Sequence, residues 1–190
     1  EDIPFVLRTS DHGRMIISAA NQWAKRKGIH TGMVLADARA ITPNLQSFDD
    51  PPELSHKLLT KLAKWCIRFS PCVAVDYPDG LIINATGCAH LWGGEMAYME
   101  DIERKLTSRG YDVRMAMANT IGLAWGLARF GNQSIVQTED HFEALMQLPP
   151  EALRLEEESA RRLHKLGLHS VRQLAKLSRS SLRRRFGPHL

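Results

Sequence analysis

The feature that most constrains this fold is the stretch from Val73 to Glu95, V-A-V-D-Y-P-D-G-L-I-I-N-A-T-G-C-A-H-L-W-G-G-E. Two short apolar, β-branched runs, residues 73–75 and 81–83, flank Tyr77-Pro78-Asp79-Gly80. Proline presets φ at the second position of a tight turn, and glycine closes it without steric cost. The stretch therefore predicts a β-hairpin. Its turn carries two carboxylates, Asp76 and Asp79. Metal-dependent phosphoryl transfer needs acids converging in this way, and an ordinary turn uses the same residues.

A chain of 190 residues can build one good core, or a core plus a small accessory module. No apolar run approaches the ~20 residues needed to cross a bilayer, and no secretory leader pattern opens the sequence. It starts at Glu1 without a methionine, so a fragment lacking its native N-terminus is expected. Three cysteines without paired spacing point to a reducing, cytoplasmic compartment and away from a disulfide framework. The formal charge of +4 is unevenly spread. Residues 150–190 hold ten Lys/Arg against four Glu, a net +6, which leaves the preceding body at −2. A basic tail suits contact with a nucleic-acid backbone, or simply a solvated helical face.

Taken in order, residues 4–8 and 13–18 read as strands, followed by a helix from Ala19 closed at Gly28 and a second over 33–40. Pro51-Pro52 opens an amphipathic helix to Phe69, with Leu54, Leu58, Leu62, Cys66 and Phe69, joined by Leu59 and Trp65, as its apolar stripe. After the hairpin, a helix over 95–108 carries Met96, Met99, Ile102 and Leu106 on one face. Residues 111–118 alternate as a strand, and 120–130 read as a helix. This order suits an α+β fold with helices on one face of a sheet, as in split βαβ arrangements. Leu148-Pro149-Pro150 reads as a linker to a tail of short helices at 156–166, 171–177 and from Ser180 to a stop at Gly187-Pro188. Short helices joined by glycine turns and rich in basic residues predict a helix-hairpin-helix module.

Other constellations carry less. Cys66, Cys72, Cys88 and His90 lack the paired C-x2-4-C knuckles of a structural zinc site, and Cys66 falls on an apolar helical stripe. Cys88 and His90 have nothing to orient the histidine as a base. There is no phosphate loop. Gly93-Gly94 before a helix could hold an anion, although a loop hinge with Glu95 near the positive helix end is the better reading. Trp92 reads as a core residue rather than a stacking platform.

The pattern 21–29 (N-Q-W-A-K-R-K-G-I), with Gly32-Met33, Leu35-Ala-Asp-Ala38 and Pro43, resembles the fingers of Y-family (DinB/UmuC-like) translesion DNA polymerases. Tyr77–Gly87 resembles that family's S-I-D-E-x-x-x-D-x-T-G palm hairpin. Residues 102–118, Leu123-Ala124 and Ala128 resemble the helix and strand that follow, and 148–187 resembles the thumb, with its L-x-x-L-G-L and R-R-F-G patterns. The 85–95 loop and the 65–71 run (W-C-I-R-F-S-P) look most like the ImuB branch, polymerase-like components of bacterial damage-induced mutagenesis complexes. The resemblance implies a fingers-like region with flanking strands and linking helix (1–70), a palm-like domain (71–147) and a truncated helix-hairpin-helix thumb (148–190).

The departures from the family pattern bear on activity. Where catalytic members carry Asp then Glu, this chain has Asp79 and Gly80, so a carboxylate ligand is missing and Asp79 reads as vestigial. Gln22 and Lys25 stand where a Tyr and an Arg touch the incoming triphosphate, and lysine lacks the bidentate fork of arginine. Thr120 and Trp125 fall near a lysine pair of the active enzymes. The strand that would supply the family's first metal-binding Asp is not in this chain. In the thumb, Arg154-Leu155-Glu156 replaces a Gly-x-Gly hairpin whose amides approach a phosphate, and Glu157 and Glu158 follow it.

The resemblance therefore implies a non-catalytic scaffold that holds no metal and no cofactor. Residual DNA contact, weak and salt-dependent, would fall to Arg161, Arg162, Lys165, Arg183, Arg184 and Arg185. Implied partners are an ImuA-type RecA-like protein, an error-prone C-family DNA polymerase subunit and the sliding clamp, the last through regions beyond Leu190. The implied location is the bacterial cytoplasm, at the nucleoid, with no membrane association. The alternatives are an active translesion polymerase using Mg²⁺ at Asp76 and Asp79, or a simple non-specific DNA-binding module.

Overall fold

Antiparallel pairing of β1 (Phe5–Asp11) with β2 (Arg14–Ala20) begins the fold, turning through His12 and Gly13, both at positive φ. The computed structural model describes residues 3–51 and 53–186. They pack as two units: Glu1–Ile67 with Val73–Leu81, and Arg68–Cys72 with Ile82–Leu190.

In the first unit, α1 (Gln22–Arg26) starts at Asn21, whose side chain accepts the Ala24 N–H at 2.9 Å. The same side chain accepts from Phe5 N and donates to Ile3 O, so one asparagine caps the helix and ties it to β1. Next come α2 (Leu35–Ile41) and β3 (Gln46–Asp49), which pairs parallel with β1 to give the order β2-β1-β3. Val6, Ile17, Ala24, Ile29, Leu35, Ala38 and Leu45 form the core between sheet and helices. Helix α3 (Leu54–Cys66) ends three residues before the expected Phe69. Its buried face is Leu59, Ala63 and Cys66, whereas Leu54 and Leu58 are exposed. The expected stripe is thus rotated about the axis, because the i, i+4 rows 54/58/62 and 59/63/66 are both apolar enough to be read as the inner one. The predicted hairpin forms as β4 (Val73–Asp76) and β5 (Gly80–Ile83), with a cis Tyr77-Pro78 peptide between them.

In the second unit, a 3-10 turn (Ala89–Trp92) leads into α4 (Glu95–Thr107), which buries Tyr98, Met99, Ile102 and Leu106. Met96, expected on the inner face, is 54% exposed, and Tyr98 takes its place. The tyrosine packs edge-on against Trp92 at 5.1 Å and Phe69 at 6.4 Å, with its hydroxyl donating to Phe69 O. An aromatic with a satisfied polar tip buries more surface than a methionine.

The strand expected over 111–118 is not assigned. Only Met117 makes a bridge, parallel, to Ile135. Alternation supplies a face, but a strand also needs a hydrogen-bonding neighbour. Helices α5 (Ile121–Phe130) and α6 (His141–Gln147) follow, the second unanticipated.

Residues 148–153, read from the sequence as a linker, are instead packed. Leu148, Pro150 and Ala152 are buried, Pro150–Leu153 forms a 3-10 turn, and Leu148 and Ala152 share a core with Leu123, Leu127, Val136, Met146 and Val171. Prolines end a helix without making it solvent-facing, and here the apolar Leu148 and Ala152 near them turn inward. Helices α7 (Glu157–Lys165), α8 (Val171–Ala175) and α9 (Arg179–Phe186) complete the described chain. The expected stop at Gly187-Pro188 lies outside the described residues.

Candidate functional site

The hairpin tip holds Asp76, half-buried at the end of β4, and Asp79, exposed in the turn; Gly80 is the first residue of β5. Tyr77 stacks on His56 of α3 with ring centroids 5.0 Å apart, which fixes the turn against that helix. The base of the hairpin is held by Ser70, a residue the sequence reading passed over. Its hydroxyl is 2.5 Å from Asn84 O and accepts the Cys72 N–H at 3.1 Å, and Ser70 is 2% exposed. Asn84 N–H donates in turn to Cys72 O at 3.0 Å. One buried hydroxyl thus satisfies both chain segments at the root of the hairpin. No periodicity announces this, because the partner lies fourteen residues away and is a backbone carbonyl.

Behind it, Asp101 ties the aromatic layer to α4. Its carboxylate accepts from Trp92 Nε1 at 3.1 Å and from Lys105 Nζ at 2.6 Å, and pairs with Arg104. The Lys105 ammonium, helped by Trp92 and Arg104 against partial desolvation, holds the Asp101 carboxyl below its ordinary range.

A pair of divalent ions does not fit this tip. Gly80 offers no donor, and among the described residues no group of three or more His, Cys, Asp or Glu side chains is placed to hold a metal. The cysteines considered for zinc differ in setting: Cys66 is buried in α3, Cys72 is exposed, and the Cys88 thiol faces Thr86 O. In the fingers-like region, Gln22 and Lys25 are both exposed on α1, and Trp23 beside them carries Arg26 on its face at 4.6 Å.

The tail forms the predicted helix-hairpin-helix. Gly167 at φ 77 ends α7: its N–H donates to His164 O and that of Leu168 to Leu163 O, the paired bonds of a Schellman cap. Ser170 and Gln173 then form a reciprocal capping box that starts α8. His164 Nε2 donates to Glu151 at 2.7 Å, and the Nδ1 atoms of His164 and His169 lie 2.8 Å apart, so the hairpin loop is pinned to the 3-10 turn before α7.

Arg154, at the place where the resemblance leads one to expect a glycine, adopts the left-handed conformation at φ 57, ψ 35. Its guanidinium lies 4.6 Å from the Trp125 ring, which also carries Arg129 at 4.4 Å. Of the basic residues expected to meet DNA, Arg161 faces Glu158 at 3.2 Å and Glu157 at 3.9 Å, and Arg162 lies over Phe186 at 5.4 Å. Lys165, Arg183 and Arg184 are exposed, while Arg185 lies in α9 with its side chain outside the described part. Arg172 on α8 is committed to Glu143 of α6 and holds that carboxyl below its ordinary range, with Gln147 contributing.

The sequence matches the impB/mucB/samB family over residues 1–129. It is 43% identical, over 84% of its length, to Protein ImuB of Caulobacter vibrioides, of which the match covers 35%. It is 24% identical over its whole length to DNA polymerase IV of Dehalococcoides mccartyi, covering 50% of that protein. DinB from Sulfolobus solfataricus superposes with a TM-score of 0.77 at 18% identity, over 98% of this chain and 56% of that one. An insertion ternary complex of Dbh DNA polymerase gives 0.76 at 16% identity, over 95% of this chain and 55% of that one. The α+β fold is therefore that of the Y-family polymerases. The chain spans about a third of its ImuB relative and half of the polymerase IV one.

Proposed function

The chain belongs to the impB/mucB/samB family, and we propose that it is the polymerase-like part of a non-catalytic scaffold serving a damage-induced mutagenic translesion synthesis complex. One observation carries this reading. Gly80 opens β5 at the place where the family pattern has a metal-binding carboxylate, and among the described residues no three His, Cys, Asp or Glu side chains are grouped to hold a metal. A polymerase without that ligand cannot hold the charge that develops in phosphoryl transfer.

The thumb-like hairpin supports the same reading. Arg154 puts a side chain where a phosphate would approach the backbone, and Glu156, Glu157 and Glu158 follow at the start of α7. DNA contact then rests on Arg162, Lys165, Arg183, Arg184 and Arg185, with Arg161 weakened by its two glutamates. Such contact is sequence-independent and falls steeply with salt. The scaffold's partners, in this proposal, are a RecA-like ImuA-type protein, an error-prone C-family polymerase subunit and the sliding clamp, met in the bacterial cytoplasm.

Primer extension by the full-length protein with Mg²⁺ or Mn²⁺ tests it. No incorporation above that of an Asp79→Asn variant is expected. Extension that Asp79→Asn abolishes would overturn the scaffold reading and favour the rival, an active translesion polymerase, which the likeness to DNA polymerase IV keeps in view.

A further inference from the structure

One face of α4 lines a groove, with Met96, Glu100 and Glu103 exposed along it and Met99 buried at its base. Met96, Met99, Glu100 and Glu103 follow the i, i+3, i+4, i+7 spacing of a single helical stripe. They form one wall of an open cavity of about 240 Å³, whose other walls include Met115 and Leu127. Met99 and Met115 line it together with the polar Asn132, Gln133 and Ser134, and Glu100 and Glu103 stand exposed beside it. The one basic lining residue, Arg114, turns its guanidinium to the carbonyls of Arg129 and Gly131, at 3.0 and 3.2 Å, and so caps the end of α5.

The loop singled out in the sequence, 85–95, packs the half-buried Trp92 against Tyr98 and leaves Leu91 71% exposed just before α4. Gly93 and Gly94, at φ 88 and 125, set the turn between Leu91 and Met96. An adaptable slot that carries methionines and is flanked by carboxylates has the anatomy of a protein-docking surface rather than of a nucleotide site. Two glutamates at the rim would repel phosphate and attract lysine or arginine.

We infer that this α4–α5 groove docks a basic amphipathic helix of a partner protein, seating an aliphatic side chain on Met96, Met99 and Met115 between Glu100 and Glu103. Docking at this groove does not depend on whether the hairpin binds metal.

Methionine-methyl NMR of the full chain, titrated with a short helical Leu/Lys peptide, tests it. The Met96 and Met115 methyl signals should shift saturably, and an otherwise identical Leu/Glu peptide should leave them in place. Reversing the rim with Glu100→Lys and Glu103→Lys should weaken binding about tenfold, with circular dichroism confirming that the variant is folded. Glu157→Lys with Glu158→Lys on α7 should change nothing. Equal shifts from the acidic peptide, indifference to the rim reversal, or the same shifts from a single-stranded oligonucleotide would overturn the assignment.

Discussion

Helix α5 carries a matched pair of glycines that measures how tightly the segment before α7 is seated. A Cβ added at Gly126 would lie 3.0 Å from Leu148 Cδ1 and 3.1 Å from Ala152 Cβ, both in the packed 148–153 segment. One added at Gly122, a turn earlier, would meet nothing within 4 Å. Replacing a helical glycine by alanine removes backbone freedom from the unfolded chain and is worth about 0.5–1 kcal/mol where the space is open. Gly122→Ala should therefore stabilise by roughly that amount. Gly126→Ala has the same entropic gain, but it must displace a buried leucine methyl and a Cβ fixed to the backbone. Such overpacking costs about 1–3 kcal/mol. The two variants should differ by about 1–3 kcal/mol in urea denaturation followed by circular dichroism, with Gly126→Ala the less stable. Each kcal/mol corresponds to a Tm shift of roughly 2–4 °C in a chain of this size. If Gly126→Ala stabilises as much as Gly122→Ala, then α5 does not sit against 148–153 at this distance, and that segment is a linker after all.

Three further outcomes follow from single residues. Ser70→Ala strands Asn84 O and Cys72 N–H at the hairpin root and should cost about 1–3 kcal/mol of unfolding free energy, with little effect if water can replace the hydroxyl. Asp101 has its folded-state pKa depressed by Lys105, so its contribution is present above the unfolded carboxylate range near ~4 and is lost as pH falls through the folded value. Asp101→Asn should accordingly destabilise at neutral pH and converge with the parent protein under acid, whereas a gap constant with pH would refute the ion-pair account. Under the proposed DNA contact, Arg183→Ala with Arg184→Ala should flatten the slope of log binding constant against log salt by ~2, about 0.9 per phosphate lost; an unchanged slope removes α9 from the interface.

The sequence readily shows where helices lie, but not which face they bury. In α4 the rows through Met96 and through Tyr98 share Met99, Ile102 and Leu106, and the choice between them falls to Trp92 and Phe69, residues whose proximity no periodicity encodes. Strand β3, Q-S-F-D, has no β pattern at all and exists because β1 offers it a backbone ladder. Residues 111–118 are the converse, a good pattern with almost no ladder. At the candidate site, the substitution at Gly80 and the loss of Gly-x-Gly around Arg154 were readable by resemblance, since each is a change of residue type at a fixed motif position. The buried role of Ser70, the Tyr77–His56 stack and the Trp125 cluster were not, because each depends on a contact distant in sequence and specific in geometry.

Arg154 separates two demands that a glycine meets together. The turn before α7 needs a residue in the left-handed region, and a phosphate approaching that turn needs a residue without a side chain. At φ 57 Arg154 meets the first demand, at a cost of roughly 1–2 kcal/mol for a non-glycine residue. Its stacking on Trp125 offsets about 0.5–1 kcal/mol of this, as expected for an exposed cation–π pair. It fails the second demand outright. At the hairpin, Ser70 at the root and the Tyr77–His56 stack both contribute to holding the turn at Tyr77–Gly80. Replacing a carboxylate by Gly80 also removes the charge repulsion that a bound cation would otherwise have to neutralise. At Arg154 the left-handed turn forms without the glycine that a phosphate contact would need, so the conformation there is separable from that contact.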